Sequence, residues 1–269
     1  MVRAEEWVPA GIDTRRATEA RVYDYMLGGV HHLDVDRRVG EQIIAAVPDV
    51  RLVCHASREF LRRVVEFLVD AGIRQFLDIG AGIPTVGHTH EVAQARAPES
   101  RVVFVDIDPL AVAHCRMILG WNDRTAVIEE DARHPERILE AVEAGGLLDL
   151  TQPVAVLMVV LLQYISDADD PGGIVSRFMR PLASGSYLAL SDPTNDGSKD
   201  WTTTQEIARR GGFEVAMRSH RQMLAMFGDL ELVAPGLVWI PQWRPTTVTD
   251  AFHDQPEASG YYAGLARKT

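Results

Sequence analysis

The chain has 269 residues, which is enough for one large domain or for one domain with an appendage. Its content of 46% hydrophobic and 24% charged residues is typical of a soluble globular protein. The formal net charge of −11 makes a nucleic-acid partner unfavourable, because such binding is driven by Lys and Arg side chains that neutralise phosphates.

Cysteine content and apolar runs indicate the compartment. Cys54 and Cys115 are too few for a disulfide framework and fit a reducing environment. The first twenty residues are charged and lack the apolar core of a secretory signal. The longest apolar run, residues 154–162, is too short to span a bilayer. The sequence therefore predicts a cytoplasmic protein with no membrane partner and leaves the oligomeric state open.

The N-terminal quarter of the chain has helical patterns after a polar arm of about twenty residues. One pattern covers residues 23–46, and Pro48 ends it. A long amphipathic helix follows and stops at Gly72. Its apolar positions at helical spacing are Leu52, Val53, Ala56, Phe60, Leu61, Val64, Val65 and Leu68. We predict that residues 1–72 form an arm and a helical cap, and that residues 73–269 form a core within the same structural unit.

Gly28 and Gly29 interrupt the first helical pattern, next to Tyr23 and Tyr25. Two glycines in a helix interior cost about 1 kcal/mol each relative to alanine, which indicates a backbone requirement. One interpretation is a close approach to a ligand, with Tyr25 closing over it. The other is a turn that joins two cap helices, with the tyrosines in the core.

A short apolar strand, an acid and two glycines occupy residues 76–85, FLDIGAGIPT, and we expect a helix to begin near Thr85. Gly80 and Gly82 permit a tight turn that passes close to a ligand. Asp78 in this turn would repel a dinucleotide pyrophosphate, because such sites present backbone N–H groups to the anion. A cationic ligand would be attracted. The turn therefore favours S-adenosylmethionine, which carries an ammonium and a sulfonium but no phosphate.

Acids also follow the next two predicted strands, residues 101–105 and 125–128. Asp106, followed by Ile107, is placed to accept both hydroxyls of a ribose. Asp131 is placed to accept the adenine amine, and the N–H of Ala132 to meet a ring nitrogen. Glu130 is an alternative to Asp131, and Asp131 is also compatible with a helix cap.

Gln163 and Tyr164 come at the carboxyl end of the buried strand predicted within residues 154–162, where ligands bind in open α/β sheets. With Tyr25, they are the residues expected near the transferred methyl group. None is an obvious base, and Tyr164 is equally compatible with packing. Residues 167–171, DADDP, are most simply a helix start. The catalytic residues are therefore left unassigned.

We predict no metal site. His31 and His32 are adjacent and point apart on a helix, and no further ligand group stands out. His88 and His90, on the first crossover helix, are expected to face different sides.

These residues resemble the class I S-adenosylmethionine-dependent methyltransferases over about residues 74–192, including LLQYISD at 161–167 and PLASGSYLALSD at 181–192. The whole chain is similar to an actinobacterial family of predicted methyltransferases whose substrate is not assigned. The matching segments are RVYDYMLGG at 21–29, RQFLDIG at 74–80, PT at 84–85, HE at 90–91 and VDIDP at 105–109. His88 stands where asparagine is expected, and Gln163 where relatives often have histidine, which leaves position 163 without a base.

The resemblance implies an α/β fold: a seven-stranded Rossmann-like sheet, mostly parallel with one antiparallel strand, and an N-terminal helical cap. Five strand–helix alternations over about residues 74–192 agree with a parallel sheet. Helices are predicted at 198–210 and 219–227, with Ser198 and Ser219 as caps. Residues 230–240 and 261–266 are expected to form the closing strands.

The function expected from these features is methyl transfer from S-adenosylmethionine to a small-molecule acceptor. The cofactor-binding residues would be Asp78, Gly80, Ala81, Gly82, Asp106, Ile107, Asp131, Ala132 and Gln163. An NAD-dependent oxidoreductase remains an alternative, although its glycine motif would need glycine at position 85, where Thr85 stands. A protein that binds the cofactor without turnover is the other alternative, because no base is evident.

Overall fold

The computed structural model describes residues 13–84, 87–197, 201–246 and 251–269. The helices in these ranges are α1 (Glu19–Met26), α2 (Asp34–Ala46), α3 (Val50–Asp70), α4 (Thr89–Arg96), α5 (Pro109–Leu119), α6 (Pro135–Gly145), α7 (Pro171–Met179), α8 (Thr202–Gly211) and α9 (His220–Met226). The strands are β1 (Gln75–Ile79), β2 (Arg101–Asp106), β3 (Thr125–Glu129), β4 (Ala155–Val159), β5 (Tyr187–Pro193), β6 (Glu231–Leu232), β7 (Val238–Trp239) and β8 (Tyr261–Arg267).

The strands form one sheet in the order β3-β2-β1-β4-β5-β8-β6, and β7 also pairs with β8. β1 to β5 are parallel, and β8 runs antiparallel to β5, β6 and β7. The predicted α/β class with one antiparallel strand is confirmed. The order reverses between β1 and β4, and this switch point is where open α/β sheets bind ligands.

The described part of the sheet has eight strands, whereas the sequence predicted seven. The segment expected to be one strand at 230–240 forms two two-residue strands instead. Pro235 lacks the N–H that a strand ladder requires, and Gly236 has a φ of +93°. Both residues lie between β6 and β7, so the segment turns where a single strand would have continued.

Successive residues of each strand enter cores on opposite faces of the sheet. Leu77 and Val103 belong to one core, together with residues of α6, α7 and α9. Phe76 and Phe104 belong to the other, together with residues of α3, α4 and α5. The central strand β4 is buried on both faces from Ala155 to Met158, which explains why its sequence does not alternate.

A third core lies under the N-terminal helices. It contains residues of α1, α2 and the start of α3, but also Trp201, Ala208 and Phe213. Helix α8, from the C-terminal part of the chain, therefore packs on the cap, a contact that helical periodicity did not reveal. The prediction that Leu52 is one of the packed positions of α3 is wrong, because this residue is 51% exposed.

Helix boundaries differ from the predictions at two points. Helix α4 begins at Thr89 after His88, later than the position expected near Thr85, which lies outside the described residues. Helix α8 begins at Thr202, and the expected cap Ser198 also lies outside the described residues. The Ser219 cap is confirmed, because its side chain accepts a hydrogen bond from the Gln222 backbone at the start of α9.

No helix among the described residues is long and apolar enough to cross a membrane. Cys54 and Cys115 are buried free thiols on α3 and α5.

Arg218 ties the segment after β4 to β5 from a fully buried position. Its guanidinium donates to the carbonyl oxygens of Leu162 and Ile165 at 2.7 and 2.6 Å. It also lies 3.6 Å from the Asp192 carboxylate and 3.0 Å from that of Asp167. This one cation therefore fixes the chain where β4 leaves the sheet.

We expect Arg218→Ala to lower the free energy of unfolding by about 3–5 kcal/mol, because it leaves Asp192 buried without its counter-charge. Urea denaturation measures the change. Arg209→Ala, an exposed cation on α8, is the control and should change stability by less than about 0.5 kcal/mol. Equal effects of the two variants would contradict this account.

Candidate functional site

A cavity of about 230 Å³ opens at the carboxyl ends of β1, β2, β3 and β4. The ends of these strands form its floor. Helices α1 and α3 of the cap form the opposite wall through Glu19, Ala20, Tyr23, Ser57, Arg58 and Leu61. The cavity therefore lies at the switch point of the sheet and under the cap.

The glycine turn after β1 forms part of this floor. Gly80 and Gly82 have φ values of +71° and +66°, a region that favours glycine. The backbone amides of Gly80 and Ala81 donate to the Val105 carbonyl at 2.8 and 3.1 Å. A Cβ atom on Gly80 would lie 2.5 Å from Leu161, whereas one on Gly82 would meet no atom within 4 Å. Gly80 is thus needed for packing as well as for its backbone conformation, and Gly82 for its conformation.

Asp78 is buried in the cavity floor and accepts a hydrogen bond of 2.6 Å from the Thr89 hydroxyl. Burial raises the pKa of this carboxyl to about 6, against the opposing effects of Thr89 and of the Arg58 charge. A cation bound in the cavity would stabilise its ionised form.

Asp106, at the end of β2, connects two strand ends. Its carboxylate accepts from the Gly82 amide at 2.7 Å and from the Asp108 amide at 2.9 Å. Burial raises its pKa to about 6, although these two hydrogen bonds act in the opposite direction. Each oxygen keeps a lone pair, so the carboxylate can still accept two hydroxyl groups.

Ile107, Asp131 and Ala132 also line the cavity, as the sequence predicted. The Ile107 side chain is 56% exposed, which leaves an apolar surface beside Asp106. Asp131 accepts from the Arg133 guanidinium at 2.9 Å. Burial alone would raise the pKa of Asp131, but Arg133 outweighs it, and the pKa is lowered. Glu130 lines the same wall, so it remains an alternative to Asp131.

The segment after β4 brings Tyr164 to the cavity wall, but not Gln163. Gln163 is buried, where its backbone amide donates to Asp192 at 3.1 Å and its side-chain oxygen accepts from Tyr261 at 3.3 Å. Val160, on the cavity wall, has a φ of +60°, which is rare for a β-branched residue and typical of strain at functional sites.

Tyr25 lies outside the described lining of the cavity, while Tyr23 is part of it. The Tyr25 ring occupies the space where a Cβ atom of Gly40 would lie. The central carbon of the Arg51 guanidinium lies 5.0 Å from the centre of this ring. Gly28 and Gly29 join α1 and α2, and a Cβ atom on Gly29 would clash with the Asp24 carboxylate. The structure therefore supports the second interpretation of Gly28 and Gly29, in which they form a turn that joins two helices of the cap.

Among the described residues, no group of three or more His, Cys, Asp or Glu side chains is arranged to hold a metal ion. The expectation that His88 and His90 face different sides is wrong. His88 precedes α4, and both rings pack on Phe104 with centroids 4.7 and 5.7 Å away. The Phe104 ring brings them together because His88 lies outside the helix.

Sequence reasoning missed Glu19 and Arg58 of the cap, and it placed Tyr25 over the ligand, whereas Tyr23 lines the cavity. Their spacing contained a usable signal. Glu19 and Tyr23 are four positions apart and share one face of α1, and Arg58 adjoins the packed face of α3. Polar side chains on the packed face of a helix indicate a ligand-binding site, but the sequence does not predict which cavity they line.

Comparisons with known proteins agree with this arrangement. The family of S-adenosyl methyltransferases matches residues 5–269. A candidate methyltransferase from Thermobifida fusca is 37% identical, with a TM-score of 0.88 over 98% of this chain and 99% of its own. A DUF574 family protein from Streptomyces avermitilis is 39% identical, with a TM-score of 0.89 over 96% of this chain and 99% of its own.

More distant similarity concerns the fold alone. An O-methyltransferase family protein from Burkholderia thailandensis is 13% identical, with a TM-score of 0.51 over 92% of this chain and 70% of its own. No curated protein matches the chain significantly. The family matches nearly the whole chain, and the cavity is formed by a glycine turn and by acids at the strand ends. The chain therefore belongs to the actinobacterial S-adenosyl methyltransferase family and uses S-adenosylmethionine as its methyl donor.

Proposed function

We propose that this methyltransferase acts on a small-molecule acceptor held beneath the cap. The observation that supports the proposal most is the position of α1 and α3 over the strand ends. These helices cover the cavity from the side opposite the strand ends, which suits a compact acceptor better than a macromolecular one. Membership of the family removes the oxidoreductase alternative.

The residues of the cavity fit the cofactor group by group. Asp106 would accept the ribose hydroxyls, and Asp78 would accept the ammonium. Asp131 or Glu130 would accept the adenine amine, and the exposed side chain of Ile107 would cover a face of the adenine. These contacts would satisfy two buried carboxylates whose pKa values of about 6 reflect burial that their present partners do not fully offset.

When bound, S-adenosylmethionine supplies an electrophilic methyl group on a sulfonium. The protein contributes alignment and exclusion of water, which together lower the barrier by several kcal/mol in well-oriented reactions. Val160, Leu161 and Tyr164 would form the wall beside the acceptor. Burial raises the pKa of Tyr164 well above its usual value, so its hydroxyl stays protonated and can orient an acceptor.

Glu19 is the candidate proton acceptor. Its carboxyl lines the cap side of the cavity, and burial raises its pKa. The arrangement of the cofactor proposed above does not use it, so it is available to an acceptor that loses a proton. The cytoplasmic location and the lack of a nucleic-acid partner remain predictions from the sequence.

A labelling experiment tests the class of acceptor. The protein is incubated with methyl-labelled S-adenosylmethionine and with separate small-molecule, protein and RNA fractions of an actinobacterial extract. We expect label in the small-molecule fraction, and much less of it with the Asp106→Ala variant as the control. Label confined to the protein or RNA fraction would overturn the proposed acceptor class while leaving the methyltransferase assignment intact.

Asp106→Ala should weaken binding of S-adenosylhomocysteine by about 1.5–3 kcal/mol, because it removes hydrogen bonds to a charged acceptor. The variant also frees the Gly82 amide, which adds to the loss. Isothermal titration calorimetry measures the dissociation constant. Asp123→Ala, on an exposed carboxylate, is the control and should bind as the wild type does. Unchanged affinity in Asp106→Ala would exclude the ribose contact.

Binding of S-adenosylhomocysteine should depend on pH. The Asp78 pKa is about 6 without ligand, and an adjacent ammonium lowers it, so binding releases a proton. Affinity is therefore full only well above pH 6 and should fall as the pH drops through 6, by up to about tenfold per pH unit. Calorimetry in two buffers of different ionisation enthalpy measures the proton release. A constant dissociation constant from about pH 5 to about pH 7 would contradict this linkage.

A further inference from the structure

Arg58 is a cation on the cavity wall whose side chain is not fully paired. Its Nε atom is buried and has no hydrogen-bond partner among the described residues. No carboxylate in the described part of the chain forms an ion pair with Arg58. Because Nε is enclosed, a ligand in the cavity would instead meet the terminal nitrogens of the guanidinium, which make no hydrogen bond to the described residues. The cavity is therefore suited to an anionic group at this point.

Tyr23 holds the guanidinium of Arg58 in place. The central carbon of the guanidinium lies 5.5 Å from the centre of the Tyr23 ring, a cation–π contact. The ring is itself fixed, because its hydroxyl donates to the Cys54 carbonyl at 3.1 Å. A guanidinium stacked on its face keeps its edge N–H groups free, and this edge matches a carboxylate in two parallel hydrogen bonds.

Asp78 lies close to Arg58 but is not paired with it. The two charges are near enough for Arg58 to lower the pKa of Asp78 against the larger effect of burial. The hydrogen bond from Thr89 occupies one Asp78 oxygen and leaves the other for a ligand. An acid and a base that line the same cavity without pairing are complementary to an α-amino acid, which carries an ammonium and a carboxylate on one carbon.

We infer that Arg58 and Asp78 form a subsite for the α-amino acid end of the cofactor, in which Arg58 binds the carboxylate. This inference rests on the proposed placement of the ammonium at Asp78. It assigns to the cap, through α3 and Tyr23, a direct part in cofactor binding. It also gives the site a basis for selectivity, because a decarboxylated sulfonium nucleoside keeps the ammonium but leaves Arg58 without its partner.

The test compares two ligands that differ only in the carboxylate. Dissociation constants of S-adenosylhomocysteine and of its decarboxylated analogue, S-adenosyl-3-thiopropylamine, are measured by calorimetry. The wild type should bind S-adenosylhomocysteine about tenfold to a hundredfold more tightly. Arg58→Gln should remove most of this preference by weakening S-adenosylhomocysteine much more than the analogue. Arg58→Lys should keep part of it, since a lysine preserves the charge but not the two-hydrogen-bond geometry.

Arg62→Gln is the matched control, because it removes the same charge from the next turn of α3, outside the described lining of the cavity. It should keep the preference of the wild type. Equal affinity of the wild type for both ligands would overturn the inference whatever the variants do, as would equal weakening of both ligands by Arg58→Gln. Failure of the wild type to bind S-adenosylhomocysteine would instead remove the proposed placement of the cofactor itself.

Discussion

A hydrogen bond of 2.7 Å from the Gly82 amide to the Asp106 carboxylate joins the glycine turn after β1 to the end of β2. Both partners are also parts of the cavity. The turn can take this position because Gly80 and Gly82 adopt positive φ values, and the carboxylate can meet it because β1 and β2 pair in parallel register. The geometry of the site therefore depends on backbone conformation and sheet register before any ligand enters.

The same end of β2 also anchors the cap. Asp108 accepts a hydrogen bond from the Thr18 hydroxyl and lies 3.8 Å from the buried guanidinium of Arg21. Arg21 in turn pairs with Asp36 of α2 at 3.3 Å. Asp106 and Asp108 both line the cavity, but only Asp108 also binds residues of the helices that cover it. Buried ion networks of this kind fix an arrangement more than they add stability.

Charge balance gives the cavity its chemical character. Asp78 and Asp106 are buried acids whose raised pKa values show that the protein supplies no full counter-charge. Arg58 is a cation on the same wall with a buried donor that lacks a partner. A ligand that carries both signs of charge would pair with Asp78 and Arg58, and its hydroxyl groups would donate to Asp106, which neither an inorganic anion nor a simple amine can do. Electrostatics and shape therefore support the same cofactor that family membership shows.

The sequence by itself determined the α/β class, the glycine turn and the acids at the strand ends. These features are local: φ preferences and strand periodicity act over a few residues, and parallel strands bring their carboxyl ends to one edge. The tertiary structure alone decided that Tyr23 and Arg58 reach the cavity while Tyr25 packs inside the cap. It also decided that α8 completes the cap core. Such choices depend on how helices far apart in the chain rotate to bury their apolar faces, and periodicity identifies a face without naming its partner.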